Sequence, residues 1–218
     1  MKTTWHRSDL GMGILALFWL GWSWAVWQHA AIITWFDQAI ALPLHHSPEW
    51  FQTAMVHYTH LGDPHSITTL TLIIGLVLIL IRQTKGAIFF WFNTWVLAGY
   101  GNYLVKQLIE RPRPTAWRLV QIGGYSYPSG HSTTTTVLIG SLLVITYDLL
   151  KNQQLKRWLF GLGIAIILLM MISRIVVGVH YPSDTLGGLM LGTCLTYLSA
   201  RLSHGHRHGN FKFKNHIH

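Results

Sequence analysis

Six stretches of this chain carry no charged residue: Leu10–Trp27, Ser66–Ile81, Gly86–Val105, Ser132–Tyr147, Trp158–Ser173 and Thr185–Ala200. In water each would have to be covered by polar sequence. Only 11% of the 218 residues are charged, against about 25% in a soluble domain, so too little is left to coat such a core. In hydrocarbon a segment must satisfy its own backbone hydrogen bonds, and a helix does so. The expected fold is therefore all-α: a polytopic membrane protein with a six-transmembrane-helix bundle. Several runs have 16 residues, short of the roughly 20 that cross a bilayer, but apolar or snorkelling flanks extend them. The first run follows Lys2 and Arg7, and its exit, Trp24 to His29, lacks a small-residue cleavage site, so it reads as an uncleaved anchor. Between the first two spans, Ala31–Leu44 and Pro48–Leu61 read as short amphipathic helices in the interface plane. The eleven tryptophans are expected at the bilayer surface, and Gly188 and Gly192 read as close helix packing within the bundle.

Lys and Arg in the short loops set the orientation. Lys2 and Arg7, Arg82 and Lys85, Lys151 with Lys156 and Arg157, and Arg201 with the tail cations Arg207, Lys212 and Lys214 share one side if there are six spans. That side is cytoplasmic, and both termini with it. The opposite side begins with a segment, Gln28 to His65, that has no Lys or Arg. Two outer loops break the pattern: one holds Lys106, Arg111, Arg113 and Arg118, the other Arg174. Cations that violate the topology rule need another reason to be there. The formal charge of +9 is accordingly assigned to anionic lipid and a phosphate-bearing substrate, not to nucleic acid. Cys194, the single cysteine, excludes a disulfide framework.

The groups in those loops suit phosphate chemistry. Lys106, Arg113 and Arg174 supply three cations, two of them planar forks matched to phosphate oxygens. Ser129-Gly130 precedes a helix whose first N–H groups and dipole favour an anion. His131 and His180 can exchange protons or attack near neutral pH. Asp184 lies one helical turn from His180 and can hold its imidazole in one tautomer. His131 has no such partner nearby in the sequence.

At these positions the chain resembles the type 2 phosphatidic acid phosphatase family. Its signature is Lys, six residues, Arg-Pro; then Pro-Ser-Gly-His; then Ser-Arg, five residues, His, three residues, Asp. The matching residues are Lys106, Arg113, Pro114, Pro128, Ser129, Gly130, His131, Ser173, Arg174, His180 and Asp184. The spacing selects Arg113 over Arg111, which leaves Arg111 as a surface cation or headgroup contact. The resemblance implies a six-helix bundle with its site near the outer, extracytoplasmic face. It also implies catalysis by His180, His131 and Asp184: His180 attacks phosphorus to form a phosphohistidine, Asp184 orients it, and His131 protonates the leaving oxygen and then activates water. Lys106, Arg113, Ser129, Gly130 and Arg174 would bind the phosphate. The implied activity is metal-independent dephosphorylation of a membrane lipid phosphate or pyrophosphate, with undecaprenyl pyrophosphate, phosphatidylglycerophosphate and phosphatidic acid as candidates.

A lipid phosphotransferase would use the same site with a different acceptor, and a non-catalytic phospholipid binder or transporter would need the cations without the paired imidazoles. No cofactor is expected. His57, His60, Asp63 and His65 are read as interfacial residues instead of zinc ligands. Residues 1–203 form the expected phosphatase domain, and 204–218 a basic, His-rich cytoplasmic tail touching anionic lipid.

Overall fold

The computed structural model describes residues 7–205, and each of the six apolar runs is helical, the second all but its last residue, Ile81. They are α1 (Arg7–Trp27), α4 (Pro64–Leu80), a continuous helix made of α5 (Thr84–Trp91), a π-helical stretch (Phe92–Tyr100) and α6 (Gly101–Ile109), then α7 (Gly130–Leu149), α8 (Gln153–Val176) and α9 (Pro182–Gly205). Between α1 and α4 lie α2 (Ala31–His45), α3 (Glu49–Thr59) and a 3-10 turn, His60–Gly62. No strand occurs among the described residues. Helix α9 continues to Gly205, and the rest of the basic tail lies outside the described residues.

Three helices, counting α1 from Ser8, are long and apolar enough to cross a membrane: α1, α7 and α8. Helix α3 with its turn, and α4, make a fourth if taken as one span bent by 55°. The distribution of side chains is that of a protein in lipid. Leu10, Leu17, Leu72, Leu76, Leu80, Trp158 and Phe160 face outward, a display of apolar surface that water would not tolerate. The interior holds polar glue. Asn93 Nδ2 donates to Ser141 Oγ at 2.9 Å, and Asn102 Nδ2 to Thr133 Oγ1 at 3.0 Å, each joining the helix of the third run to α7.

Helix α7 is central and packs on α8, α9, α5 and the π-helical stretch; α2 and α3 lie on α8, and α1 closes against α9. Some tryptophans do a job not foreseen from the sequence. Trp19 and Trp22 donate to the carbonyls of Gly187 and Ser183, and Trp91 to that of Thr71, at 3.0–3.1 Å. These three rings lock helices together.

Gly188 meets α7 so closely that a Cβ there would lie 2.7 Å from the Ser129 carbonyl oxygen, and one at Gly192 would lie 2.9 Å from that of Thr133. The small residues therefore serve packing within the bundle. Gly188→Leu is expected to destabilise the protein by at least about 1–3 kcal/mol, read as a lower melting temperature in detergent. An unchanged melt would mean that α7 and α9 do not meet here.

Candidate active site

Each chemical group is placed by a distinct local feature. Glu110 ends α6 in the left-handed region, φ 51°, and releases the chain into the segment carrying Arg111, Pro112, Arg113 and Pro114. Helix α7 starts beneath an N-cap from Ser129, whose Oγ accepts from Ser132 N at 3.4 Å and Ser132 Oγ at 3.1 Å. The loop from α8 to α9 turns at Gly178, φ +71°, where a Cβ would sit 2.2 Å from the Trp117 carbonyl oxygen. Only glycine fits there, and the turn delivers His180 beside the start of α9.

His180, His131, Lys106, Arg113 and Gly130 line one cavity of about 350 Å³. The two imidazoles thus share a pocket, although their residues lie in different loops. Its lining also includes Ile67, Thr68, Thr94, Trp95 and Gly99, from α4 and the π-helical stretch. Cationic chemistry therefore meets an apolar groove.

Around His180 the geometry fixes the tautomer. Nδ1 faces Asp184 Oδ2 and Ser126 Oγ, each at 3.4 Å, while Nε2 lies 3.0 Å from Arg113 Nη1. An arginine can only donate, so Nε2 carries the lone pair and Nδ1 the proton. Burial holds the His180 imidazole well below its usual 6.5, Asp184 pulls the other way without overcoming it, and Arg113 and Arg174 add to the lowering. The ring is neutral at pH 7. Below about 6.5 the unfolded chain therefore binds a proton that the native state refuses, and stability falls as pH drops. The fall in melting temperature between pH 7.5 and 5 is expected to be smaller in His180→Gln than in the parent; equal falls would place the titration elsewhere.

Asp184 is fully buried and saturated with donors: Arg111 Nη1 at 2.6 Å, Ser126 Oγ at 2.5 Å and Tyr181 N at 2.8 Å. The reading of Arg111 as a surface cation is overturned here. Its side chain is 10% exposed, it reaches Asp37 Oδ2 with Nη2 at 2.7 Å and Ser183 Oγ with Nη1 at 2.7 Å, and its guanidinium lies 4.1 Å over the Tyr181 ring. Asp37, on α2, accepts from Ser183 N and Oγ with its two oxygens. Burial pushes Asp37 up in pKa, against the pull of Arg111 and Ser183.

The remaining cations are arranged differently. Lys106 Nζ donates to the carbonyls of Tyr125 and Ser126 at 2.6 and 3.2 Å. Arg113 Nε donates to those of Gly123 and Gly124, and its Nη1 to that of Val179. Arg174 is buried, spends Nη1 on Thr59 Oγ1 at 2.6 Å, and leaves Nε and Nη2 without a partner. It interacts electrostatically with Arg113 and both site histidines. The Ser129 hydroxyl is buried as a helix cap. His131, expected to be without a carboxylate, has one: its Nε2 lies 3.0 Å from Asp63 Oδ1. Among the described residues no group of three or more His, Cys, Asp and Glu is placed to hold a metal.

A sequence profile described as the PAP2 superfamily matches residues 87–207, more than half of the chain. The chain belongs to that superfamily. It is a lipid phosphate hydrolase of PAP2 type. Phosphatidylglycerophosphatase B of Bacillus subtilis is 33% identical over 158 residues, which cover 68% of this chain and 73% of that protein. An undecaprenyl-diphosphatase of Sulfolobus acidocaldarius is 31% identical over 101 residues, 46% of this chain and 41% of the relative. Among solved structures, the transmembrane PAP2 type phosphatidylglycerolphosphate phosphatase of Bacillus subtilis superposes with a TM-score of 0.80 at 28% identity, covering 91% of this chain and 98% of that one. The PAP2 match begins at residue 87, so Asp37 and Asp63 lie outside it. For Asp37 the one available hint was scarcity: the chain has seven acidic residues, and this one sits inside the apolar segment Ala31–Leu44. Ser126 carried no such signal.

Proposed function

We propose that this PAP2 enzyme removes the terminal phosphate from a membrane lipid through a phosphohistidine on His180, without a metal. The observation that carries the reading is the shared cavity, in which the lone pair of His180 Nε2 faces the same space as Lys106, Arg113, the start of α7 and His131. Phosphoryl transfer asks mainly for positioning and charge neutralisation. A phosphate entering between Arg113 and His180 would exchange the Arg113–Nε2 contact for bonds to its own oxygens. Arg174 supports the assignment, because a buried cation with two idle donors is costly until an anion meets it. His180 Nε2 attacks phosphorus, the ester bond breaks, and His131 protonates the departing oxygen. Water then attacks the phosphohistidine, gives its proton to His131, and releases phosphate and His180. Splitting the reaction this way replaces one hard step by two easier ones.

The chain is proposed to cross the membrane six times, with both termini cytoplasmic and the site at the outer rim. The cation count of the loops supports this topology. The apolar residues of the cavity lining, Ile67 and Trp95 among them, support a substrate whose tail stays in lipid. The names of the relatives point to phosphatidylglycerophosphate and undecaprenyl pyrophosphate as the substrates to test first, with phosphatidic acid beside them. Purified protein in detergent is expected to release phosphate from at least one of these, unchanged by a chelator. No release from any, or loss with the chelator, would overturn the reading. Mass spectrometry of the lipid products separates hydrolysis from transfer to a second lipid.

A further inference from the structure

Asp63 occupies the N-cap of α4, followed by Pro64, yet its side chain does not cap that helix. Aspartate is among the best capping residues, so a cap left unmade marks a carboxylate used elsewhere. Its Oδ1 lies 3.0 Å from His131 Nε2 and its Oδ2 2.8 Å from His60 Nδ1. The turn that carries it is pressed onto the ring: a Cβ at Gly62 would lie 2.5 Å from His131 Cδ2. Ser66 Oγ fixes the far end of the turn by donating to the His60 carbonyl at 2.7 Å. Burial pushes the Asp63 carboxyl up, but the bonds from His60 and His131 outweigh it and hold the group below the usual carboxylate range. It is therefore charged at neutral pH.

We propose that Asp63, held from behind by His60, is the positioning carboxylate of His131 for proton transfer to the leaving group. The inference rests on the reading of His131 as the acid and adds what orients it. With Nε2–H committed to Asp63, the proton that moves is on Nδ1. In the first step the bond from His180 Nε2 to phosphorus forms, the ester P–O bond breaks, and the Nδ1 proton goes to the departing oxygen. In the second, water oxygen bonds to phosphorus, the N–P bond breaks, and a water proton returns to Nδ1. Throughout, Nε2–H stays with Asp63, whose charge favours the imidazolium at both ends of the cycle. The site then has two imidazole–carboxylate pairs, His180 with Asp184 and His131 with Asp63.

The test is Asp63→Asn, which keeps an acceptor for Nε2–H but removes the charge. Proton donation matters for an alkoxide leaving group and hardly at all for p-nitrophenolate. Turnover of phosphatidylglycerophosphate is expected to fall by about 10²-fold. The pre-steady-state burst of p-nitrophenol from p-nitrophenyl phosphate, which reports only the first step, is expected to change in rate by less than about threefold. Equal loss on both substrates, or no loss on the lipid, would overturn the proposal. His60→Ala keeps the question open to refutation should Asp63→Asn misfold. It is expected to show the same leaving-group selectivity at a few-fold size, and an unselective effect would count against Asp63. Failure of the underlying mechanism looks different: the p-nitrophenol burst would then persist in His180→Ala.

Discussion

His180→Ala is expected to lower lipid phosphate release by about 10⁴-fold or more, because a member of a catalytic unit removed alone costs about as much as the whole unit. No other group can take its place. His131 is turned toward Asp63, and Lys106 Nζ is committed to the carbonyls of Tyr125 and Ser126. Nor would the loss reflect unfolding. The neutral ring is held by contacts of 3.0 to 3.4 Å with Arg113, Ser126 and Asp184, and Asp184 keeps Arg111 and Ser126 as partners without it. A labelled phosphate quenched in alkali is expected on the parent enzyme, to be lost in acid, and to be absent from the variant. Retained turnover, or a phosphoenzyme that survives in His180→Ala, would move the nucleophile elsewhere.

Arg111→Ala is expected to cost about 3–5 kcal/mol of stability, the penalty for leaving buried charge without its partner, and most of the activity with it. Two carboxylates depend on this one fork, Asp184 at 2.6 Å and Asp37 at 2.7 Å. With the guanidinium gone both face a buried, unneutralised neighbourhood, and Asp184 can no longer hold the His180 proton in place. Arg111→Lys is expected to fall between variant and parent, since a point charge cannot serve both acids in the geometry of the planar fork. Adding Asp37→Asn to Arg111→Ala is expected to recover part of the loss, because it removes one of the two orphaned charges; the shortfall from additivity measures the coupling. A melting temperature for Arg111→Ala close to that of the parent, within about 0.5 kcal/mol, is what a surface cation would give, and would return Arg111 to that role.

The two arginines of the Arg-Pro-Arg-Pro segment show how far sequence reasoning reaches. They are two residues apart, alike in composition and local context, and the segment has no periodicity to assign them faces. The family's spacing from Lys106, six residues and then Arg-Pro, singled out Arg113, and Arg113 does meet His180. Nothing local said that Arg111 turns inward toward α2. The same holds for Asp63, whose histidine neighbours at positions 57, 60 and 65 read as interfacial side chains.

From the sequence alone came the helical architecture and the identity of the main cationic and imidazole groups. A charge-free run long enough to cross lipid has to close its own backbone hydrogen bonds, and the motif residues are fixed in type and spacing by the reaction. The tertiary structure alone decided who holds those groups in place. Arg111 finds Asp37 across 74 residues, and His131 finds Asp63 across 68. A lone acid on a short helix or turn looks the same in sequence whether it faces water or a buried cation; only the packing of α2 on α8 and α9, and of the 60–63 turn on α7, supplies the partner that makes its charge tolerable.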